Sequence, residues 1–202
     1  MARVNKATRV MVIRHGEKPP DFGAGVTSLG AQSNESLAVQ GWQRAGALAV
    51  LFDPSRGPLQ DSHLAVPQFL FATAAPTSSS SQRPDETLQP LASKLGLTIN
   101  TGPTTAPFTK NDYKSMVDSA VASEGVVLIA WQHQDIPQIA NRILGSDEIA
   151  TGCWPGKRYD LVWVFDLHSD GTYKHLHQVP QLLLDQDSDQ PIDTSKTTAA
   201  GA

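Results

Sequence analysis

Three short, almost wholly apolar runs, each ending at a polar break, constrain this chain more than any other feature. They are Arg9-Val10-Met11-Val12-Ile13, Gln68-Phe69-Leu70-Phe71-Ala72 and Val126-Val127-Leu128-Ile129-Ala130-Trp131. A run without polar alternation has no solvent face, so each reads as a strand covered on both sides. Between the first two, Gln40 to Phe52 carries Ala45, Leu48, Ala49 and Phe52 at helical spacing. Residues 84–95 carry Leu88, Leu91, Ala92 and Leu95 in the same pattern. Further strands are expected over 97–100, 160–166 and 172–178, and further helices over 111–122 and 136–144. The alternation predicts the α/β class: a single-domain three-layer α/β/α sandwich with a mainly parallel sheet and an antiparallel C-terminal strand.

Local punctuation supports these limits. Pro84 near the first turn, Asp85 and Glu86 beside it, and Gly96 just past the end bound the second helix. His168-Ser169-Asp170-Gly171 reads as a hairpin turn between the last two strands. Residues 16–40 and 145–159 are long and polar, the kind of loop that covers a functional site. From Asp185 onward almost nothing can be buried, so the domain is expected over 1–184, with 185–202 a disordered tail.

With 202 residues, 40% of them hydrophobic, the chain can bury one substantial core. Its 16 basic and 20 acidic residues show no basic block, which argues against nucleic-acid and membrane-surface partners. The lone Cys153 allows no intrachain disulfide and suits a reducing compartment. The five-residue apolar run before Arg14 is too short for a signal or spanning segment, so the expectation is a cytoplasmic protein. Nothing in the sequence specifies an oligomeric state.

Chemistry gathers where the apolar runs end. Arg14-His15-Gly16-Glu17 follows the first, a serine-rich loop leads from the second to Arg83, and His133 follows the third. Ligands of open α/β sheets bind at that edge, and three such tips can converge on one anion. Arg14 and Arg83 offer planar forks of donors to a phosphoryl group, and Gly16 leaves room for close approach. His15, with an unperturbed pKa of about 6.5, can attack phosphorus while the arginines neutralise the equatorial oxygens. Taken singly, Arg83 also reads as a surface arginine pairing with Glu86 or Asp85, and His133 as a packing residue. His175 and His177 would share one strand face as two metal ligands might, but no third ligand stands close in sequence.

Four landmarks in order resemble the histidine phosphatase superfamily, the phosphoglycerate mutase-like family, over most of residues 9–184. Val10-Met11-Val12-Ile13-Arg14-His15-Gly16-Glu17 is similar to its first motif, and Leu37-Ala38-Val39-Gln40-Gly41-Trp42-Gln43-Arg44-Ala45 to the opening of its first helix. Ser79-Ser80-Ser81-Gln82-Arg83-Pro84-Asp85-Glu86-Thr87 resembles its serine, arginine and threonine segment. Leu128-Ile129-Ala130-Trp131-Gln132-His133 stands where the family carries its second histidine. The resemblance implies that His15 is the nucleophile and that Arg14, Arg83 and His133 bind the transferring phosphoryl group. It implies no metal and no cofactor. The expected activity is hydrolysis of a phosphomonoester or phosphoramidate through phospho-His15, with a small phosphorylated substrate or a phosphoprotein as partner. A phosphotransferase of the mutase type and a phosphate-binding module with little turnover are the alternatives.

One departure concerns the proton donor. Many members carry a glutamate between the second motif and the second histidine, but residues 101–123 hold only Asp112 and Asp118 as acids. Another branch of the superfamily takes its acid from just after that histidine. Asp135, two residues past His133, is therefore the candidate, with Glu17 and Asp112 as further possibilities. Asp135 also precedes Ile136-Pro137 and reads as a helix N-cap. Trp131 is a candidate wall of the pocket beside His133.

Overall fold

Strands and helices alternate along the chain in the computed structural model, which describes residues 4–77, 79–146 and 152–194. The strands are β1 (Ala7–Arg14), β2 (Phe69–Ala72), β3 (Ile99–Asn100), β4 (Gly125–Trp131), β5 (Leu161–Leu167) and β6 (Tyr173–Pro180). The helices are α1 (Val39–Phe52), α2 (Arg83–Leu95), α3 (Tyr113–Ala122) and α4 (Ile136–Leu144). Every expected element is present with its ends within two residues. Gly96 closes α2 with φ 66° and donates its N–H to Ala92 O, as its position past the last apolar residue predicts.

The strands form one sheet in the order β3-β2-β4-β1-β5-β6. β1 pairs in parallel with β4, as β2 does with both β3 and β4. The antiparallel pairing expected at the C-terminal end is present: β5 runs against β1, and the C-terminal strand β6 runs antiparallel to β5.

Side-chain alternation sends each buried strand into two cores. Met11 and Ile13 of β1 join Leu70, Leu128 and Val162 under Leu48, Phe52, Leu88 and Leu91 of α1 and α2. On the other face Val10 and Val12 join Phe71, Ile129 and Trp163 under Met116, Val117, Ile139 and Ile143 of α3 and α4. Three layers result, and the chain leaves β1 toward α1 but β4 toward α4. Neighbouring strands whose connections depart to opposite faces open a crevice at their carboxyl ends, the topological switch point where such sheets bind ligands.

Two expectations are corrected. The β5–β6 register shifts between Val164 and Asp166, and His175 takes φ 60° there, so alternation is broken between His175 and His177. His177 stacks on His63 while His175 lies edge-on to His168, so the pair does not face one ion. The tail is also docked for its first ten residues: Asp187 binds Arg44, and Ile192 is buried in the core beneath α3 and α4. An ion pair, one buried isoleucine and hydrogen bonds to Asp160, Arg158 and Gln178 hold a segment whose average composition suggested nothing to bury. Residues 195–202 lie outside the described residues. No helix among the described residues is long and apolar enough to cross a membrane.

Candidate active site

A cavity of about 170 Å³ opens at the carboxyl ends of β1 and β4, lined by His15, Arg83 and His133 together with Lys18, Lys110 and Gln132. The structure therefore brings together the three strand-end landmarks. A wider groove between α3 and α4 has no histidine, cysteine or carboxylate in its lining among the described residues.

His15 prolongs the parallel ladder by donating its backbone N–H to Trp131 O at 3.0 Å, which ties the two strand ends together. Its ring Nδ1 lies 2.8 Å from Gly16 O. A carbonyl only accepts, so Nδ1 carries the hydrogen and Nε2 keeps its lone pair. Burial, reinforced by the Arg14 and Arg83 charges, holds the His15 pKa well below its usual value, so the ring is neutral at pH 7.

Gly16 serves a different purpose from the one its sequence context suggested. A Cβ there would meet Gly41 O at 2.9 Å, and one on Gly41 would meet Glu17 O at 2.4 Å. Both glycines let the loop after β1 press against the first turn of α1, so Gly16 makes room for backbone rather than for an anion. Thr87 fixes the other side. It accepts from Gly16 N at 2.8 Å and donates to Arg83 O at 2.7 Å, linking the loop after β1 to the start of α2. Neither role is visible from periodicity, though Thr87 stands one helical turn after Arg83.

Arg14 lies behind the cavity, fully buried, with its guanidinium 3.6 Å from the centroid of the Tyr159 ring. It donates to Gly156 O, to Arg158 O and to the Tyr159 hydroxyl at 2.9 Å, all uncharged acceptors, and its Nε has no partner among the described residues. Burial pulls its pKa down to about 10. Arg83 donates to Asn34 O at 2.8 Å and stands 4.0 Å from the Glu35 carboxylate; its Nε is also buried without a partner among the described residues. Glu86 and Asp85 do not pair with it, because Glu86 turns inward to accept from Leu37 N at 2.8 Å. His133 completes the group, its pKa lowered to about 4 by burial and then by Arg14 and Lys18.

None of the three candidate proton donors lines the cavity. Asp135 occupies the N-cap position of α4 but caps nothing with its side chain, accepting instead from Trp131 Nε1 at 3.2 Å and from Gln132 Nε2. Trp131 is accordingly a core residue and not a pocket wall. Glu17 is gripped by Arg44 through contacts of 2.8–3.1 Å, and Asp112 caps α3 through Ser115 N. Among the described residues no cluster of three or more His, Cys, Asp or Glu is arranged to hold a metal.

No protein-family model and no curated protein matches the chain. Solved structures do. A mycobacterial glucosyl-3-phosphoglycerate phosphatase in complex with VO3 aligns with TM-score 0.52 and 14% identity over 85% of this chain and 98% of that one. YhfR of Bacillus stearothermophilus aligns with TM-score 0.51 and 15% identity over 84% and 95% of the two chains. At these identities the likeness is one of fold alone.

Proposed function

We propose that this protein is a metal-independent phosphatase of the histidine phosphatase superfamily, working through a phosphohistidine on His15. The observation that carries the reading is the His15 ring itself: neutral, its Nδ1–H committed to Gly16 O, its Nε2 lone pair the open nitrogen in a cationic cavity. In the first step Nε2 attacks phosphorus, and the P–O or P–N bond breaks with its electron pair going to the leaving group, which takes a proton from solvent. In the second a water oxygen attacks phosphorus, the electrons of the P–Nε2 bond return to the ring, and phosphate leaves as water's proton passes to solvent. Arg14, Arg83 and His133 hold the phosphoryl oxygens, and a guanidinium fork aimed at developing charge supplies what a metal ion supplies elsewhere.

Among the described residues the lining offers no carboxyl group to protonate a departing oxygen. That favours leaving groups that need no enzymic proton, a phosphoramidate nitrogen or an aryl oxygen, over alkyl alcohols. The experiment is to assay p-nitrophenyl phosphate with wild type and His15→Ala, and to trap the intermediate. Turnover should vanish in the variant, and the wild-type label should be acid-labile and base-stable. An acid-stable label, or phosphate binding with no turnover in wild type, would overturn the reading in favour of another nucleophile or a binding module.

A further inference from the structure

The Arg14 guanidinium is held by an irregular segment, residues 152–160, that leads into β5. The same segment backs onto the second histidine, since a Cβ on Gly156 would stand 3.7 Å from His133 Nε2. A segment with no ladder of backbone bonds keeps its shape through tertiary contacts. Trp154 supplies some of them, donating to Arg158 O at 2.8 Å and packing on Trp163 with ring centroids 5.0 Å apart. The docked chain end supplies more. Gly152 N donates to Thr194 O at 2.7 Å, Arg158 Nη2 to Gln190 O at 2.7 Å, and Ser188 N to Asp160 Oδ2 at 2.6 Å. Arg158 therefore serves two neighbours: its carbonyl accepts from Arg14 at 3.3 Å, while its side chain, held by Asp160 at 2.7 Å, reaches residue 190. Ile192 pins the far end, its N–H and C=O both paired with the Gln178 amide at 2.8 Å and its side chain in the core that holds Trp154 and Trp163.

We propose that residues 187–194 form a strap that positions Arg14, with Arg158 as the positioning residue between them, so that docking of the strap and anion affinity at the cavity are coupled. This rests on the phosphatase reading for the role of Arg14. None of the strap's residues lines the cavity, so its influence passes through the segment that holds the guanidinium. Undocking removes the partners of Gly152, Arg158 and Asp160 and frees the acceptors around Arg14 to shift. A displacement of about 1 Å in such a group is enough to cost about a hundredfold in rate. The strap's near end also bears on the site, because Asp187 pairs with Arg44, which grips Glu17 two residues after His15. Coupling of this kind is reciprocal: a strap that tightens anion binding is itself tightened, by the same factor, when the anion is bound.

The test uses inorganic phosphate and the full chain. Ile192→Asp undocks the strap while leaving every residue of the cavity and of segment 152–160 unsubstituted. Calorimetry should show it binding phosphate about tenfold more weakly than wild type, with kcat/KM for p-nitrophenyl phosphate down by about the same factor. Ile192→Val, which keeps the apolar anchor, should stay within about twofold of wild type on both measures. In wild type, saturating phosphate should slow hydrogen exchange of the Ser188 and Ile192 amides by about tenfold, beyond any slowing in α3. A strap that only stabilises the fold gives no such excess, and this measurement decides the matter even where Ile192→Asp fails to fold. Wild-type phosphate affinity in Ile192→Asp with its strap amides exchanging freely, or strap protection in wild type that ignores phosphate, would overturn the coupling. Absence of phosphate binding in wild type would instead overturn the phosphatase reading, and this proposal with it.

Discussion

Two buried arginines near the loop after β1 are treated in opposite ways. Arg44, only 2% exposed, faces two carboxylates, with Nη2 at 2.8 Å from Glu17 and 2.7 Å from Asp187, and Nη1 at 2.8 Å from Gln181. Burial alone would lower its pKa, but those bonds raise it above the usual arginine value. They also outweigh burial at Asp187 and hold that carboxyl below the usual range. Arg14 is as deeply buried, yet its partners are carbonyls and a phenol, and its pKa falls. A buried ion is tolerable when paired and costly when not. Arg44 is closed by carboxylates of its own chain, whereas Arg14 has no carboxylate hydrogen-bond partner among the described residues. The proposed function gives that difference a meaning: Arg44 is structural, and Arg14 is the charge left for a substrate anion.

Breaking each arginine separates the two roles. Arg44→Met leaves Glu17 and Asp187 buried and unpaired, and should cost about 3–5 kcal/mol of stability. Urea denaturation reads this directly; a loss under ~1 kcal/mol would mean the cluster is not the anchor its geometry implies. The effect should be largest around the loop after β1 and the docked segment 185–194, which Arg44 bridges. Arg14→Met should do the reverse, lowering kcat/KM by about thirty- to a thousandfold, or ~2–4 kcal/mol. Stability should change by less than ~1 kcal/mol, because the substitution removes an uncompensated charge along with its hydrogen bonds. The stabilisation that inorganic phosphate confers on wild type should disappear with it. A strongly destabilised variant, or one with turnover within about threefold of wild type, would place Arg14 with Arg44.

Sequence separated these regions unevenly. The strands were legible because β1, β2 and β4 are buried on both faces and lack polar alternation, and the helices because their apolar stripes are clean. His15, Arg83 and His133 were legible because strand ends at a switch point converge. Arg44 was not, since an arginine at a helical position carries no mark of the carboxylate that will reach it from Asp187, 143 residues later. Lys18 and Lys110 were hidden for the same reason: nothing local tells a solvated lysine from one aimed at a cavity. Asp135 misled because proximity to His133 in sequence says nothing about which way a carboxylate turns. Here it turns toward Trp131 and Gln132.

The smallest expected effect is a titration, and it tests whether Arg14 acts on its neighbours as an unneutralised charge. The folded pKa of His133 is about 4, below the unfolded value of about 6.5. His15 is shifted in the same direction, by burial first and Arg14 next. Between those pH values the unfolded chain binds protons that the folded protein refuses, so stability should fall as pH is lowered through 6.5 toward 4 and be unaffected by these groups above it. Imidazole NMR signals of both histidines should remain those of the neutral ring at pH 6 in wild type. In Arg14→Met the burial contribution persists while the repulsion goes, so His133 should titrate at a higher pH and the acid loss of stability should become shallower. Bound phosphate should move His133 the same way in wild type and have no such effect in the variant. Titration of both rings near 6.5, indifferent to Arg14, would remove the electrostatic half of the contrast with Arg44 and leave only the difference in hydrogen-bond partners.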